Sequence, residues 1–286
     1  MDQPPLPSNR WSEFRARANR LRPNRHQLRT VSSRARHPLW WLPDPAAQQD
    51  EAFRRIWQNL RTLKDVEDGR ADAQAWRSRG LPLAICCVRV PASAFSDEIN
   101  DLRETLMQFP FVRPYPDDYL HITVQEIAYV REDEGERDEM TRARLDEFVA
   151  MADRALRDFP KFPMLLGPIN SFADAAFLDV YDNGWLSRIQ ARLMDLMAIS
   201  PRTRYPYVPH LSIADYVESA PIGNLPAVLA EWRDTPVGGF DVSTVDVVLM
   251  SPHDDPFPPL EVIHSFQLGT TRATGTIPVR PDTTRE

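Results

Sequence analysis

The sequence predicts an α+β domain built from two similar lobes, and three observations carry that expectation. Short apolar stretches with strand character alternate with amphipathic helices. The series strand, helix, histidine-bearing strand, helix, strand is written twice. A four-residue phrase, His121-Ile122-Thr123-Val124 and then His210-Leu211-Ser212-Ile213, stands at the same place in each series. From the first strand residue to the histidine is 38 residues in one half (Leu83 to His121) and 35 in the other (Ala175 to His210).

In chain order, residues 1–45 form a basic arm and residues 46–80 a helical extension, in which Phe53, Ile56, Trp57, Leu60 and Leu63 make one apolar stripe and Asp50 stands as the cap. Trp40 and Trp41, between prolines, would pin the arm to the body. The main domain runs over residues 81–270 and a tail over 271–286. It opens with the continuous apolar strand LAICCVRV, followed by a helix with Ile99, Leu102, Leu106 and Phe109 on one side and the strand YLHITVQEIAYV. The charged run REDEGERDE is a solvated turn. It leads to a helix carrying Leu145, Phe148, Val149, Ala152, Leu156 and Phe159, then to the strand FPMLLGPINSF. The second series is the strand AAFLDVY, a helix with Leu186, Ile189, Leu193, Leu196 and Met197, and the strand around HLSIADY. A helix with Leu225, Val228, Leu229 and Trp232 follows, opened by Asn224, and strands FDVSTVDVVLM and VIHSFQL close the domain.

Composition narrows the function. A chain of 286 residues that is 42% hydrophobic can bury a full core. No run approaches the roughly 18 apolar residues of a membrane span and the start lacks a secretory core, so a cytoplasmic monomer without membrane contact is expected. Cys86 and Cys87, adjacent in an apolar run, read as buried inert thiols. Nine arginines up to Arg36 against Asp2 and Glu13 give the arm +7, which leaves −14 for the rest of a chain whose net charge is −7. Such an arm can contact RNA through phosphates, whereas a body this acidic suits a small nucleotide or an RNA end better than a long polyanion.

Alternate residues of a strand share a face, so His121 with Thr123, and His210 with Ser212, each present an imidazole beside a hydroxyl. Displacement at phosphorus asks for this set. One group takes a proton from the attacking oxygen and another gives one to the leaving oxygen, and imidazole titrates near neutral pH. Two hydroxyls can donate to the non-bridging oxygens, with no metal required.

These residues resemble the 2H phosphoesterases, a family named for two His-x-Thr/Ser-x motifs. HITV and PHLSI match that signature, down to the proline before the second histidine, and the likeness is greatest to the 2'-5' RNA ligase-like or RNA 2',3'-cyclic phosphodiesterase group. It covers about residues 81–270. The resemblance implies a two-lobed pseudo-symmetric fold, antiparallel sheets lining a central cleft with helices outside, and no metal or other cofactor. It implies His121 and His210 as catalytic acid and base, and Thr123 and Ser212 as phosphate-binding groups. Ser212 stands where threonine is commoner, and the residues after each motif, QEI and ADY, depart from the best-known bacterial pattern.

Around this centre, Tyr119 is a candidate to stack on a base or ribose, and it serves equally as a packed edge aromatic. Gln125 and Tyr216 are candidate cleft contacts by strand parity. Arg113, Arg202 and Arg204 precede the motif strands, where one could clamp a terminal phosphate. His253, with Asp254 and Asp255, lies in a proline-rich loop without a second ligand group, so no metal is expected there. His264 shares a face with Val262, Phe266 and Leu268 and reads as a core histidine. The expected activity is hydrolysis of a 2',3'-cyclic phosphate or a 2'-5' linkage in RNA ends or small nucleotides. The alternatives are a nucleotide or RNA-end binding protein without turnover and a 2'-5' RNA ligase running the reaction in reverse.

Overall fold

The computed structural model describes residues 45–272 except 134, 137, 198–206, 236 and 254–256. The arm, with Trp40 and Trp41, and the tail beyond residue 272 lie outside the described residues, as do Arg202, Arg204, Asp254 and Asp255.

Two sheets form the body. The first has the order β12 (Glu261–Gln267), β11 (Thr244–Met250), β2 (Leu83–Arg89), β4 (His121–Arg131) and β5 (Glu139–Thr141). The second has the order β10 (Gly238–Val242), β6 (Pro160–Ser171), β7 (Ala175–Tyr181), β8 (His210–Tyr216) and β3 (Val112–Pro114), with β13 (Gly269–Arg272) added beside β6. All pairs in the two sheets are antiparallel except β4 with β5 and β13 with β6. The two-lobed α+β expectation holds, and each histidine strand lies in its own sheet.

Sheet membership does not follow the two halves of the sequence. β6, expected to close the first lobe, joins the second sheet beside β7, and β3 crosses over to the edge of β8. In return, β11 and β12 complete the first sheet on β2. The stretch FDVSTVDVVLM is two strands rather than one. It breaks at Ser243, whose carbonyl accepts from Leu268 N, so that β10 pairs in the second sheet and β11 in the first. One chain crossing from sheet to sheet through a single residue ties the lobes together.

The helices follow their apolar periods. Helix α4 (Arg142–Leu156) starts at Thr141, whose Oγ1 accepts from Arg144 N at 3.3 Å, and buries Leu145, Phe148, Ala152, Ala155 and Leu156. It packs against β12 and against helix α5 (Trp185–Met197), which lies on β4. Helix α3 (Glu98–Leu106) buries Ile99, Leu102 and Leu106, and Phe109 packs in the turn beyond it. Asn224 precedes the short helix α6 (Leu225–Glu231) without a side-chain cap bond.

The extension is docked on the body. Helix α1 (Pro45–Leu60) buries Phe53, Trp57 and Leu60 and packs on β6 and β7. Asn170 Nδ2 donates to Phe53 O at 3.1 Å, and Gln49 Nε2 to Asp182 Oδ1 at 3.1 Å. Asp50 is not the cap of this helix, because the helix begins five residues earlier, at Pro45, where proline's missing N–H costs nothing. Residues Asp65–Val66 (β1) pair with Ala220–Pro221 (β9), and helix α2 (Arg70–Arg79) ends at Gly80 in the left-handed region, φ 70°.

Arg79 from α2 then reaches into the charged run expected as a solvated turn, donating to Asp138 and Glu139, with Arg131 also on Glu139. The arginines hold the Glu139 carboxyl low, at about 2. Glu136, Asp138 and Glu139 are the one acidic or histidine cluster of metal-binding dimensions among the described residues, and their oxygens are taken by these arginines. Cys86 and Cys87 are fully buried, and burial drives the Cys87 thiol up to about 12, as inert core thiols require.

One glycine marks where the sheets meet. A Cβ added at Gly238 would stand 2.0 Å from the Ala94 carbonyl, in the turn that follows β2. Gly238→Ala is therefore expected to force backbone apart and to lower stability by about 1–3 kcal/mol in denaturant unfolding; an unchanged midpoint would show that the turn yields freely.

Candidate active site

The repeated phrase works as its alternation demands. Ile122, Val124, Leu211 and Ile213 are 0–1% exposed, and burying each contributes about 1.5–3 kcal/mol to holding its strand in register. That leaves His121 and Thr123, and His210 and Ser212, on the opposite faces. Both faces line one cleft of about 180 Å³, completed by Tyr115, Tyr119 and Glu126 on the polar side and by Leu83, Ile85 and Met250 on the apolar side. Tyr207 Oη donates across to Thr123 O at 3.0 Å, linking the approach to β8 with β4.

The two histidines are held in the same way. His121 Nδ1 lies 2.7 Å from Tyr119 O, and His210 Nδ1 lies 2.8 Å from Val208 O, in each case the carbonyl two residues earlier. A carbonyl only accepts, so Nδ1 carries the proton and, in the neutral ring, Nε2 keeps its lone pair. Aromatic edges fix the rings: Tyr119 stands perpendicular to His121 at 5.3 Å, and Phe172 to His210 at 5.1 Å. Burial lowers both imidazoles from the ordinary value. The Tyr119 carbonyl opposes this at His121 while the nearby His210 adds to it, and the Val208 carbonyl and Asp174 oppose it at His210.

The remaining sequence candidates divide. Tyr119 lines the cleft, although it sits in the turn Asp117–Tyr119 rather than on the strand; its hydroxyl lies 3.9 Å from Met250 Sδ. Arg113 is exposed at the rim, its guanidinium 5.5 Å above the ring of Phe257, which packs on Tyr115 and Tyr119. Arg202 and Arg204 lie outside the described residues.

Gln125 and Tyr216 do not line the cleft, and the reason is the same in both strands. An extra residue is inserted after each hydroxyl, Val124 opposite β2 and Ile213 opposite β7, and such a bulge reverses the side on which the residues that follow it stand, up to a second bulge at Ile127 in β4. Gln125 instead accepts from Gln190 Nε2 of α5 at 2.9 Å. Tyr216 is fully buried, edge-on to Phe111, with its hydroxyl 2.6 Å from Ser171 Oγ.

The bulges bring in residues that parity alone misses. Glu126 takes the cleft place expected of Gln125, and Asp215 takes the face of Ser212, where it accepts from the Tyr115 hydroxyl at 2.7 Å. Their signal was present, since HITVQE and HLSIAD both end in an acid. Tyr115, Leu83, Ile85 and Met250 carried none. A further bulge, at Ile263 of β12, corrects the reading of His264. Val262 is turned out to 38% exposure, and His264 is half-buried with Nε2 3.4 Å from Asp153 Oδ1 on α4, so it is no core histidine.

A two-sheet fold with paired His-x-Thr/Ser strands meeting at one cleft defines the class of protein, and comparison with known sequences agrees. The 2'-5' RNA ligase superfamily matches residues 91–254, more than half of the chain, and the chain belongs to that superfamily. No curated protein matches it. Similar solved structures include Escherichia coli LigT complexed with NADP+ (15% identity, TM-score 0.47, covering 66% of this chain and 98% of LigT). They also include TT0787 of Thermus thermophilus (16%, TM-score 0.45, covering 66% and 99%). The conserved protein ATU0111 of Agrobacterium tumefaciens is a third (13%, TM-score 0.45, covering 71% and 87%). Among the described residues no helix is long and apolar enough to cross a membrane.

Proposed function

We propose that the chain is a metal-independent phosphodiesterase, acting on a 2',3'-cyclic phosphate or a 2'-5' linkage in RNA ends or small nucleotides. The observation that carries this is the matched pair of imidazoles in one cleft, each with Nδ1 committed to a backbone carbonyl and each beside a hydroxyl. In the reaction, one neutral histidine takes a proton from water at Nε2 as the water oxygen bonds to phosphorus. The other, protonated, gives its Nε2 proton to the ribose oxygen as the P–O bond breaks. Thr123 and Ser212 donate to the non-bridging oxygens, where charge grows in the transition state. Tyr119, with Tyr115 and Phe257 at ring distances of 5.4 and 5.3 Å, offers an aromatic wall for the base.

The test is hydrolysis of 2',3'-cyclic nucleotides and 2'-5' oligoadenylate in excess chelator, with products identified by isomer. Turnover supports the reading, and binding without product selects a nucleotide-binding protein. The pH dependence gives a second check. Activity needs one imidazole neutral and one charged, and both titrate below the usual imidazole value of about 6.5 because they are buried. A bell-shaped kcat/KM profile with its maximum on the acid side of that value is expected; a maximum well above it would contradict the assignment.

A further inference from the structure

The helical extension does more than dock on one lobe. Its last part, residues 64–82, precedes the residues that match the superfamily and runs from one sheet to the other. It starts on the second lobe. Lys64 O accepts from Ile222 N at 3.0 Å, β1 pairs with β9, Glu67 N donates to Ala173 O at 2.8 Å and Gly69 N donates to Tyr216 O at 2.9 Å. The approach is close enough to need glycine, since a Cβ at Gly69 would stand 2.7 Å from Asp174 O. Helix α2 then crosses to the first sheet. Trp76 packs on the cluster of Leu83, Ile85, Cys87, Val248 and Met250, three of which line the cleft, and its Nε1 donates to Leu81 O at 3.2 Å. Arg79 covers the ring of Tyr129 at 4.2 Å and pairs with Asp138 and Glu139.

Strand direction fixes where this crossing stands. On β4 the cleft face runs from His121 and Thr123 to Glu126 and, past the second bulge, to Tyr129, which lies opposite Leu83. On β8 it runs from His210 and Ser212 to Asp215, and ends beside the Tyr216 carbonyl that Gly69 holds. Both strands lead from their histidines to residues 64–82, which close the cleft at the end beyond the hydroxyls. From Cys87, opposite Thr123, to Leu83 is four residues of strand, about 13 Å. The aromatic wall stands on this side too, because the Tyr119 hydroxyl lies 3.9 Å from Met250 Sδ and Met250 is the cross-strand partner of Leu83. The cleft's 180 Å³ falls below the roughly 300–1,000 Å³ of pockets that bury a drug-sized ligand.

We propose, resting on the phosphodiesterase reading, that residues 64–82 are a strap that limits the substrate to a single nucleoside on that side of the phosphate. With its base on the wall of Tyr119 and Phe257, a free nucleoside 2',3'-cyclic phosphate fits between the hydroxyls and α2. The same cyclic phosphate at the 3' end of a longer RNA does not, because its preceding nucleotide has to pass where Trp76 is packed on the wall of Leu83 and Met250. The strap thus selects small nucleotides over RNA ends. The exclusion comes from occupied space rather than from charge, so it persists in salt.

The experiment measures kcat/KM of the full chain for a nucleoside 2',3'-cyclic phosphate and for an RNA of about nine nucleotides ending in the same group, in excess chelator and at about 0.3 M salt to screen phosphate contacts outside the cleft. The wild type is expected to prefer the free nucleotide by roughly tenfold or more. Trp76→Ala, which unseats α2 from the apolar wall, is expected to raise the rate on the RNA in absolute terms and to shrink the ratio several-fold. Arg79→Ala, which releases the last turn of α2 from Asp138 and Glu139, should do the same to a lesser extent, and it carries the comparison alone should Trp76→Ala not fold. Damage to the fold alone lowers both rates together. Equal rates in the wild type, or variants that leave the ratio unchanged, overturn the proposal even with full turnover. Turnover of neither compound by the wild type fails the cyclic-phosphate reading instead. The ratio is then taken from Kd for a nucleoside 3'-phosphate against the RNA ending in a 3'-phosphate. A wild-type preference that the variants lose upholds the strap in a binding cleft, and a preference that is absent or unchanged overturns it.

Discussion

His121→Ala and His210→Ala are each expected to lower kcat/KM toward the cleaved diester by about 10²–10⁴-fold, mostly through kcat. The reason is geometric. Each ring is fixed at Nδ1 by the carbonyl of Tyr119 or Val208 and at its side by an aromatic edge, so only one nitrogen of each is left to move a proton. If, as proposed, one takes the proton and the other gives it in a single displacement, the double variant should lose little more than the worse single one. Removal of either ring leaves one carbonyl without its donor, a cost of about 1 kcal/mol that unfolding curves would register as a small shift. His264→Ala supplies the control, since that ring faces Asp153 on α4 rather than the cleft. Near-normal turnover by either cleft variant, with the fold intact, would remove the basis of the acid–base assignment.

The centre of this site was legible in the sequence because it obeys strict alternation. His121 to Thr123 and His210 to Ser212 are each one step along a strand, and their buried neighbours leave no other way to face. What failed lay beyond the first bulge. Val124, Ile213 and Ile263 are ordinary strand residues, and nothing in their chemistry announces that each is the unpaired extra one. Gln125, Tyr216 and the surroundings of His264 were misplaced for that single reason. The lobes show the other limit of sequence reasoning. Periodicity identifies β6 and β11 as apolar segments, but the choice of partner strand is a long-range decision, made where a whole sheet can be covered. Ser243 looks like an interior strand residue and is the point at which the chain changes sheets.

Beneath the second histidine lies a buried ion pair, and Arg233→Met is expected to destabilise the protein by about 3–5 kcal/mol at pH 8–9. Asp179, the cross-strand partner of His210, has no exposed surface; it accepts from Asn170 Nδ2 at 2.9 Å and lies 3.4 Å from Arg233 Nη1. Arg233 also donates to Ile169 O at 2.7 Å and covers the ring of Trp57 at 4.6 Å, so it joins β6, β7 and the docked helix α1. Burial raises the Asp179 carboxyl to about 7 against an ordinary 3.8, although Arg233 and Asn170 oppose the rise. Between those values the folded state binds the proton that the unfolded chain releases. The contribution of Asp179 is therefore whole below about 3.8 and is lost as pH rises through about 7. Without Arg233 the folded value climbs further, so the loss extends to higher pH, while near pH 5 the carboxyl is already neutral in the fold and the variant should be much closer to wild type. Asp179→Asn, which keeps a neutral partner for Asn170, should be milder than Arg233→Met at pH 8–9 and should flatten the pH dependence in the Arg233→Met background. Chemical denaturation at the two pH values measures all of this, and an Arg233→Met cost that is equal at both would mean that Asp179 keeps its charge and that the arginine acts through packing alone.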